Sequence, residues 1–432
     1  MILNRIFYLD KLVSRIGNGR IKVITGIRRC GKSVLLFDIF KDYLLNHGVG
    51  AEQIVTMKLD VASNARYRNP LELIDYINSK TASPDTQYYV LIDEIQEVHN
   101  IPNPWLADKD DTIGFVDVVL ELLERRNVDV YVTGSNSRML SSDVITQFRD
   151  RGDEIHLYPF TYREFFDAYP GDKSFAWQDY ITFGGLPHII DLHTDSDKSR
   201  YLRDLIQHTY LTDVVERNNI KKDVAILDDM LNILASNVGS LTNPKKLEHT
   251  FASVKNTKIT DSTISAYLDC FCDAYIISKA SQYDVKGKKY IGSPMKYYFT
   301  DIGLRNAQLN FRQQEETHIM ENVLYNELIA RGYSVDVGIV EYNYKDEQGR
   351  SKRTKLEVDF VVNLSNQRYY IQSAFAIPDE EKRLQETNSL RRINDSYRKI
   401  VVVRSNIKPW TDDNGIYYIG IETFLLDTIY RL

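Results

Sequence analysis

Cysteine is scarce: Cys30, Cys270 and Cys272 are the three in 432 residues. So small and odd a count excludes a disulfide framework and fits a reducing compartment. No apolar run approaches the roughly 20 residues a membrane-spanning helix needs, so no membrane partner is expected. The opening stretch MILNRIFYLDKLVSRIG interleaves charges with apolar residues, unlike a signal peptide, and a cytoplasmic location is expected. Net positive charge is also lacking. A formal charge of −6 excludes a protein that coats nucleic acid through bulk charge, so any such contact needs a local basic patch. There are no internal repeats and no low-complexity tract. What remains is globular in composition, 43% hydrophobic and 26% charged, and too long for one hydrophobic core.

The stretch GIRRCGKS (26–33) meets the pattern G-x-x-x-x-G-K-[ST] through Gly26, Gly31, Lys32 and Ser33. It lies between IKVIT (21–25), a β-branched run of strand length, and SVLLFDIFKDYLLNHG (33–48), apolar at helical spacing and ending at a glycine. A phosphate loop requires that context. Its glycines let the backbone approach the anion, and N–H groups at a helix start face it. Candidate nucleotide-binding residues are therefore Gly26, Ile27, Arg28, Arg29, Cys30, Gly31, Lys32, Ser33 and Val34. Lys32 is expected to reach the β- and γ-phosphates, and the Ser33 hydroxyl to ligate Mg²⁺.

Two further apolar runs end in polar residues. YYVLIDEIQ (88–96) closes on Asp93, expected to hold the ion through water, and Glu94, expected to deprotonate the attacking water. VDVYVTGSNSRML (128–140) places Ser135 and Asn136 where a side chain can sense the γ-phosphate, and a satisfied turn is the alternative. In QFRDRGDEI (147–155), Arg149 or Arg151 is a candidate arginine finger, from the same chain or from a neighbouring subunit of a homo-oligomer. A solvated charge run is the alternative there.

These motifs, followed by RGDEI (151–155), YPFTYREF (158–165) and GGLP (184–187), resemble a bacterial family of P-loop ATPases related to AAA and signal-transduction NTPases. The resemblance covers essentially the whole chain. It implies an α/β fold with a parallel sheet between helices, and ATP with Mg²⁺ at the C-terminal strand ends. The expected domains are 1–218, an ATPase; 219–310, a winged helix; and 311–432, related to restriction endonucleases.

The residues of 219–310 support the second assignment. Three helical stretches (227–239, 243–254, 260–277) precede two strand-like runs around the tip KGKK (286–289). In a winged helix the third helix enters the major groove and the wing lies on the backbone. Ser262, beside Thr260, Thr263 and Ser265, is then a candidate base contact. Lys255, Lys258, Lys286, Lys288 and Lys289 are candidate phosphate contacts. Residues 221–300 hold eleven lysines against eight acids, mildly basic within an acidic chain. A lid or a protein contact is the other reading. Cys270 and Cys272 read as helix-core residues, because a metal site needs a second pair.

The last third resembles restriction-endonuclease-like and Holliday-junction-resolvase-like domains: a helix bearing Glu, a strand bearing Asp, then a strand bearing Glu/Gln-x-Lys. In those, clustered acids hold Mg²⁺ and the lysine stabilises the attacked phosphate. Glu321, Asp359 and Gln372 match, but Ala374 stands at the lysine position. Lys355 and Arg383 are candidate substitutes, and Glu357 shares a strand face with Asp359. A catalytically dead, DNA-holding or structural domain is expected over an active nuclease. The whole chain thus reads as an ATPase whose nucleotide state controls DNA engagement. The alternatives are a signalling or defence-type switch with a protein partner, or an ATP-gated nuclease.

Overall fold

The computed structural model describes all residues except 1–4, 107–109, 135–150, 219, 221–223, 256, 313–314, 346–347 and 428–432. The chain forms two compact units. One comprises the described residues up to Pro159, with Asp273–Tyr275; the other comprises Phe160–Cys272 and the described residues from Ile276 onward.

The first unit is an α/β layer structure. Strands β1 (Ile21–Thr25), β2 (Ile54–Lys58) and β3 (Tyr88–Asp93) are followed by a short antiparallel pair, β4 (Ile101–Pro102) and β5 (Thr112–Ile113). Strands β6 (Val128–Thr133) and β7 (Gly152–His156) complete the unit. The main sheet runs β2-β3-β6-β1-β7 and every pairing in it is parallel. All residues of β1, β3 and β6 are buried, which is why these strands read as continuous apolar runs. Their polar exceptions answer one another. Buried Lys22 pairs with buried Asp129, which also accepts from Tyr131 Oη at 2.8 Å and from the Gly17 N–H at 3.0 Å. Helices Pro70–Lys80 and Phe115–Leu123 bury Leu73, Ile77, Val119 and Leu122 against Val55, Val90 and Val130. Asn69 caps the first of these helices, with Pro70 in its opening turn.

The second unit opens with helices Tyr162–Ala168, Ala176–Phe183 and Asp195–Asp204. Val224–Ser236, Pro244–Val254 and Asp261–Asp273 supply the three helices expected before the hairpin. The hairpin is β8 (Ile277–Asp284) and β9 (Lys289–Phe299). After helices Ile302–Gln308 and Glu316–Ala330 come β10 (Ser334–Lys345), β11 (Ser351–Leu364) and β12 (Gln367–Ala374). Helix Glu380–Arg391, β13 (Arg398–Val403), β14 (Trp410–Thr411) and β15 (Ile416–Gly420) follow. The strands form one mixed sheet, β14-β15-β13-β12-β11-β10-β8-β9.

The expected breaks at 218 and 310 do not coincide with the edges of these units. The hairpin does not stand apart as a free wing: β8 pairs in parallel with β10, at Gln282–Val337 and Tyr283–Gly338, so one sheet runs through residue 310. Helix Ile302–Gln308 ties earlier helices into the same unit. Asn306 donates to the Ile181 carbonyl at 2.8 Å, and Arg305 Nε donates to the Ala235 carbonyl at 2.8 Å.

The GGLP stretch has a structural reason. Gly184 has φ +76°, and a Cβ there would lie 2.1 Å from Asp301 Oδ1. The buried Asp301 carboxylate accepts from the Gly185 N–H at 2.7 Å and from the Leu304 N–H at 3.2 Å, capping helix Ile302–Gln308. Asp301→Ala should lower stability in urea unfolding by about 2–4 kcal/mol, through a lost cap and an unsatisfied buried N–H. Asp301→Asn, which keeps one acceptor oxygen, should lose less.

Candidate functional site

The loop after β1 is shaped by residues at positive φ. These are Gly26 (+143°), Arg29 (+68°) and Gly31 (+98°). A Cβ on Gly26 would lie 2.2 Å from the Leu157 carbonyl oxygen, so no other residue fits there. Ile27 and Cys30 are buried and anchor the loop, while Arg28 and Arg29 are exposed. Burial pushes the Cys30 thiol pKa up, so this cysteine is not poised as a thiolate. Arg5, itself buried, braces the loop. It donates to the Cys30 carbonyl at 3.2 Å and to the Tyr158 carbonyl at 2.9 Å.

A helix starts at Lys32 and runs through Lys32–Val34, a π-type stretch Leu35–Phe40, and Lys41–Asn46. The N–H groups of its first turn have no intrahelical carbonyl to bond and carry the positive end of the helix dipole. Lys32 is buried. Its Nζ donates to the Gly26 carbonyl at 3.0 Å and the Ile27 carbonyl at 3.2 Å, so the ammonium lies along the loop. The half-buried Ser33 follows, and Val34 is exposed.

Strand order sets the acids beside this loop. β6 lies between β1 and β3. Its last residue, Thr133, donates through Oγ1 to Asp93 Oδ1 and accepts the Glu94 N–H at 3.0 Å. The Ser33 hydroxyl also lies near Asp93 and lowers its pKa. Burial is the main reason the Asp93 pKa is raised; the Thr133 and Ser33 hydroxyls lower it, and the Glu94 and Asp60 charges raise it further. A buried anion in this position, with a hydroxyl beside it, suits a hard divalent cation. Ser33 and Asp93 are therefore the residues that would hold Mg²⁺. Glu94 takes a left-handed backbone (φ 51°) at the strand tip, and Oε2 accepts from Gln96 Nε2.

Several expected residues do not gather here. Arg151 precedes β7, and the register pairs Gly152 with Ile21, at the start of β1. That is the sheet edge remote from the loop, about 16 Å away over five residues of strand. Arg151 pairs there with Glu124 at 3.0 Å, so the structure corrects the expectation of a finger acting on its own chain's site. Ser135, Asn136 and Arg149 lie outside the described residues. Sequence reasoning missed Thr133, Gln96 and Arg5. Thr133 carries a readable signal, a hydroxyl closing a buried strand, whereas Arg5 carries none.

In the second unit the structure brings Glu321, Glu357, Asp359 and Gln372 together. Asp359 Oδ2 accepts the Ser373 N–H at 2.8 Å, and Gln372 Oε1 accepts the Asp359 N–H at 3.4 Å. Ala374 is buried in an apolar core. Neither suggested substitute is engaged there. Lys355 is exposed and pairs with Glu341 at 3.3 Å, and Arg383 pairs with Glu380. The candidate DNA contacts Lys258, Ser262, Lys286, Lys288 and Lys289 are all exposed. Lys255 is also exposed, but it pairs with Asp229 at 2.6 Å.

A family model described as an AAA domain matches residues 18–166. Two models described as domains of unknown function match residues 174–315 and 316–424. An uncharacterized protein of Haemophilus influenzae is 32% identical over 430 residues, covering 98% of this chain and 99% of its own. An uncharacterized protein of Methanocaldococcus jannaschii is 28% identical over 400 residues, covering 88% of this chain and 79% of its own. Among solved structures, the Orc1 protein of Aeropyrum pernix in complex with DNA superposes with a TM-score of 0.31 at 11% identity, covering 71% of this chain and 92% of that one. Cdc6p from Pyrobaculum aerophilum superposes with a TM-score of 0.30 at 14% identity, covering 74% and 94%.

Thr133→Val keeps the side-chain shape and removes the hydroxyl shared by Asp93 and Glu94. Loss of a hydrogen bond to a charged group should slow ATP turnover by about 10–100-fold, with nucleotide affinity kept, as read by phosphate release.

Proposed function

The chain belongs to the same family as the Haemophilus influenzae protein and carries an AAA domain, and from that premise we propose that it binds and hydrolyses ATP and couples nucleotide state to DNA engagement by its second unit. The observation that carries the ATPase reading is the meeting of Ser33, Asp93, Thr133 and Glu94 beside a glycine-shaped loop. Each residue then has a task. The loop and helix N–H groups bind the phosphates. Lys32 leaves the loop carbonyls and meets the β- and γ-phosphate charge. Glu94 takes the proton of the attacking water, aimed by its left-handed backbone and by the Thr133 contact. A Mg²⁺ ion held by Ser33 and Asp93 would neutralise phosphate charge.

The DNA reading rests on the second unit. Helix Asp261–Asp273 presents Ser262 at its start, and the β8–β9 tip presents Lys286, Lys288 and Lys289 to solvent. Both are suited to phosphate or groove contacts. The net charge of −6 favours a second reading, in which the same surface grips a protein and the ATPase acts as a switch. ATP hydrolysis measured with and without duplex, branched and single-stranded DNA separates the two. Stimulation by DNA supports the first reading, and indifference to all three supports the second. Among the described residues no helix is long and apolar enough to cross a membrane.

Lys32→Ala should abolish nucleotide binding. Glu94→Gln should bind ATP and turn it over more slowly by roughly 10²–10⁴-fold, through loss of the positioned base. Normal turnover in Glu94→Gln would reassign the base. Replacing Lys286, Lys288 and Lys289 together should flatten the salt dependence of DNA binding by about one log unit of slope per lost phosphate contact. An unchanged slope would remove the hairpin from the interface.

A further inference from the structure

The lysine absent at position 374 has a counterpart from another part of the chain. β9 carries Lys296, 2% exposed, and its Nζ lies 2.8 Å from Glu321 Oε1, 2.6 Å from Glu357 Oε1 and 3.9 Å from Asp359 Oδ1. The three carboxylates come from two elements, helix Glu316–Ala330 and strand β11, so Lys296 joins three elements at one point. Other partners complete the cluster. Tyr298 Oη donates to Glu321 Oε1 at 2.6 Å, and the Ser373 N–H donates to Asp359 Oδ2. A Cβ on Gly239 would lie 3.0 Å from Glu321 Oε1, so the backbone closes over that carboxylate.

Related acid clusters hold a divalent ion, and this one does not suit it. Mg²⁺ needs oxygens at about 2.0–2.1 Å in an octahedral shell, several of them water. Here two of the three carboxylates already bond a buried ammonium, and a second cation beside it would meet like-charge repulsion in a poorly screened interior. Among the described residues no group of three or more His, Cys, Asp or Glu side chains is set to hold a metal ion. The geometry assigns to Lys296 the role of a tethered counter-ion that occupies the place of the divalent metal and closes the acidic centre of the second unit to metal-dependent phosphodiester chemistry. An ammonium balances the carboxylate charge, but it does not generate a hydroxide nucleophile or act as a Lewis acid on a phosphoryl oxygen. Burial, the largest influence, works against the Lys296 ammonium, yet the Glu321, Asp359 and Glu357 charges outweigh it and raise its pKa. This assignment is independent of the ATP site.

The test counts bound Mn²⁺ by electron paramagnetic resonance on the nucleotide-free full chain. Wild type and Asp359→Asn should bind equally, because wild type holds no metal at this centre. Lys296→Met, confirmed folded by circular dichroism, should gain one further Mn²⁺ per chain, and Lys296→Met/Asp359→Asn should lose it again. Mn²⁺ binding by wild type that Asp359→Asn removes would overturn the assignment. So would a folded Lys296→Met that binds no more than wild type. If Lys296→Met does not fold, the comparison of wild type with Asp359→Asn decides alone.

Discussion

The first unit depends on the apposition of a helix that begins with unsatisfied N–H groups and a carboxylate buried beside it. The Ser33 hydroxyl lies close enough to Asp93 to lower its pKa, so the electropositive helix start and the acid strand meet at one place. Neither is comfortable without a ligand. The N–H groups lack intrahelical acceptors, and burial disfavours the Asp93 charge. An anionic phosphate answers the first need and a divalent cation the second. Strand order enforces the meeting. With β6 between β1 and β3, the Thr133 hydroxyl spans the gap and fixes both Asp93 and the Glu94 backbone.

The second unit solves a similar charge problem in the opposite way. Its carboxylates also converge in a buried place, but the chain supplies the cation itself. The two acidic centres therefore differ in how their charge is met. On the readings proposed above, one leaves its cation to be brought with a nucleotide, whereas the other is met by Lys296. Removing one partner from a buried ion cluster leaves uncompensated charge, commonly at a cost of about 3–5 kcal/mol, so Lys296 also secures β9 to the rest of the unit.

Much of the first unit was legible because its chemistry is local. A loop of eight residues carries its glycines, lysine and serine in fixed order, and buried parallel strands read as apolar runs. Thr133 closes a buried strand with a hydroxyl, a signal the sequence carries, but its role shows only once strand order places β6 between β1 and β3. Motif spacing does not show which end of a strand faces the loop; the Gly152–Ile21 pairing does, and it sets Arg151 away from the loop of its own chain. In the second unit Glu321, Asp359 and Gln372 were singled out through the resemblance. Lys296 was not, since it precedes the Glu321 helix on a strand read as a wing. A register shift between Ala280 and Gln282, beside its pairing partner, has no sequence signature. The continuity of β8 with β10 was hidden for the same reason: long-range pairing follows from tertiary structure.

The central claim is that the turn opening the helix at Lys32 and the acid closing β3 together form one nucleotide site. Equilibrium dialysis of the folded full chain against radiolabelled ATP, with and without Mg²⁺, tests it most directly. The account predicts saturable uptake of one ATP per chain, tightened by Mg²⁺ and lost when Asp93 and Ser33 are both replaced by alanine. Absence of saturable uptake by the wild-type chain in the presence of Mg²⁺ would contradict it.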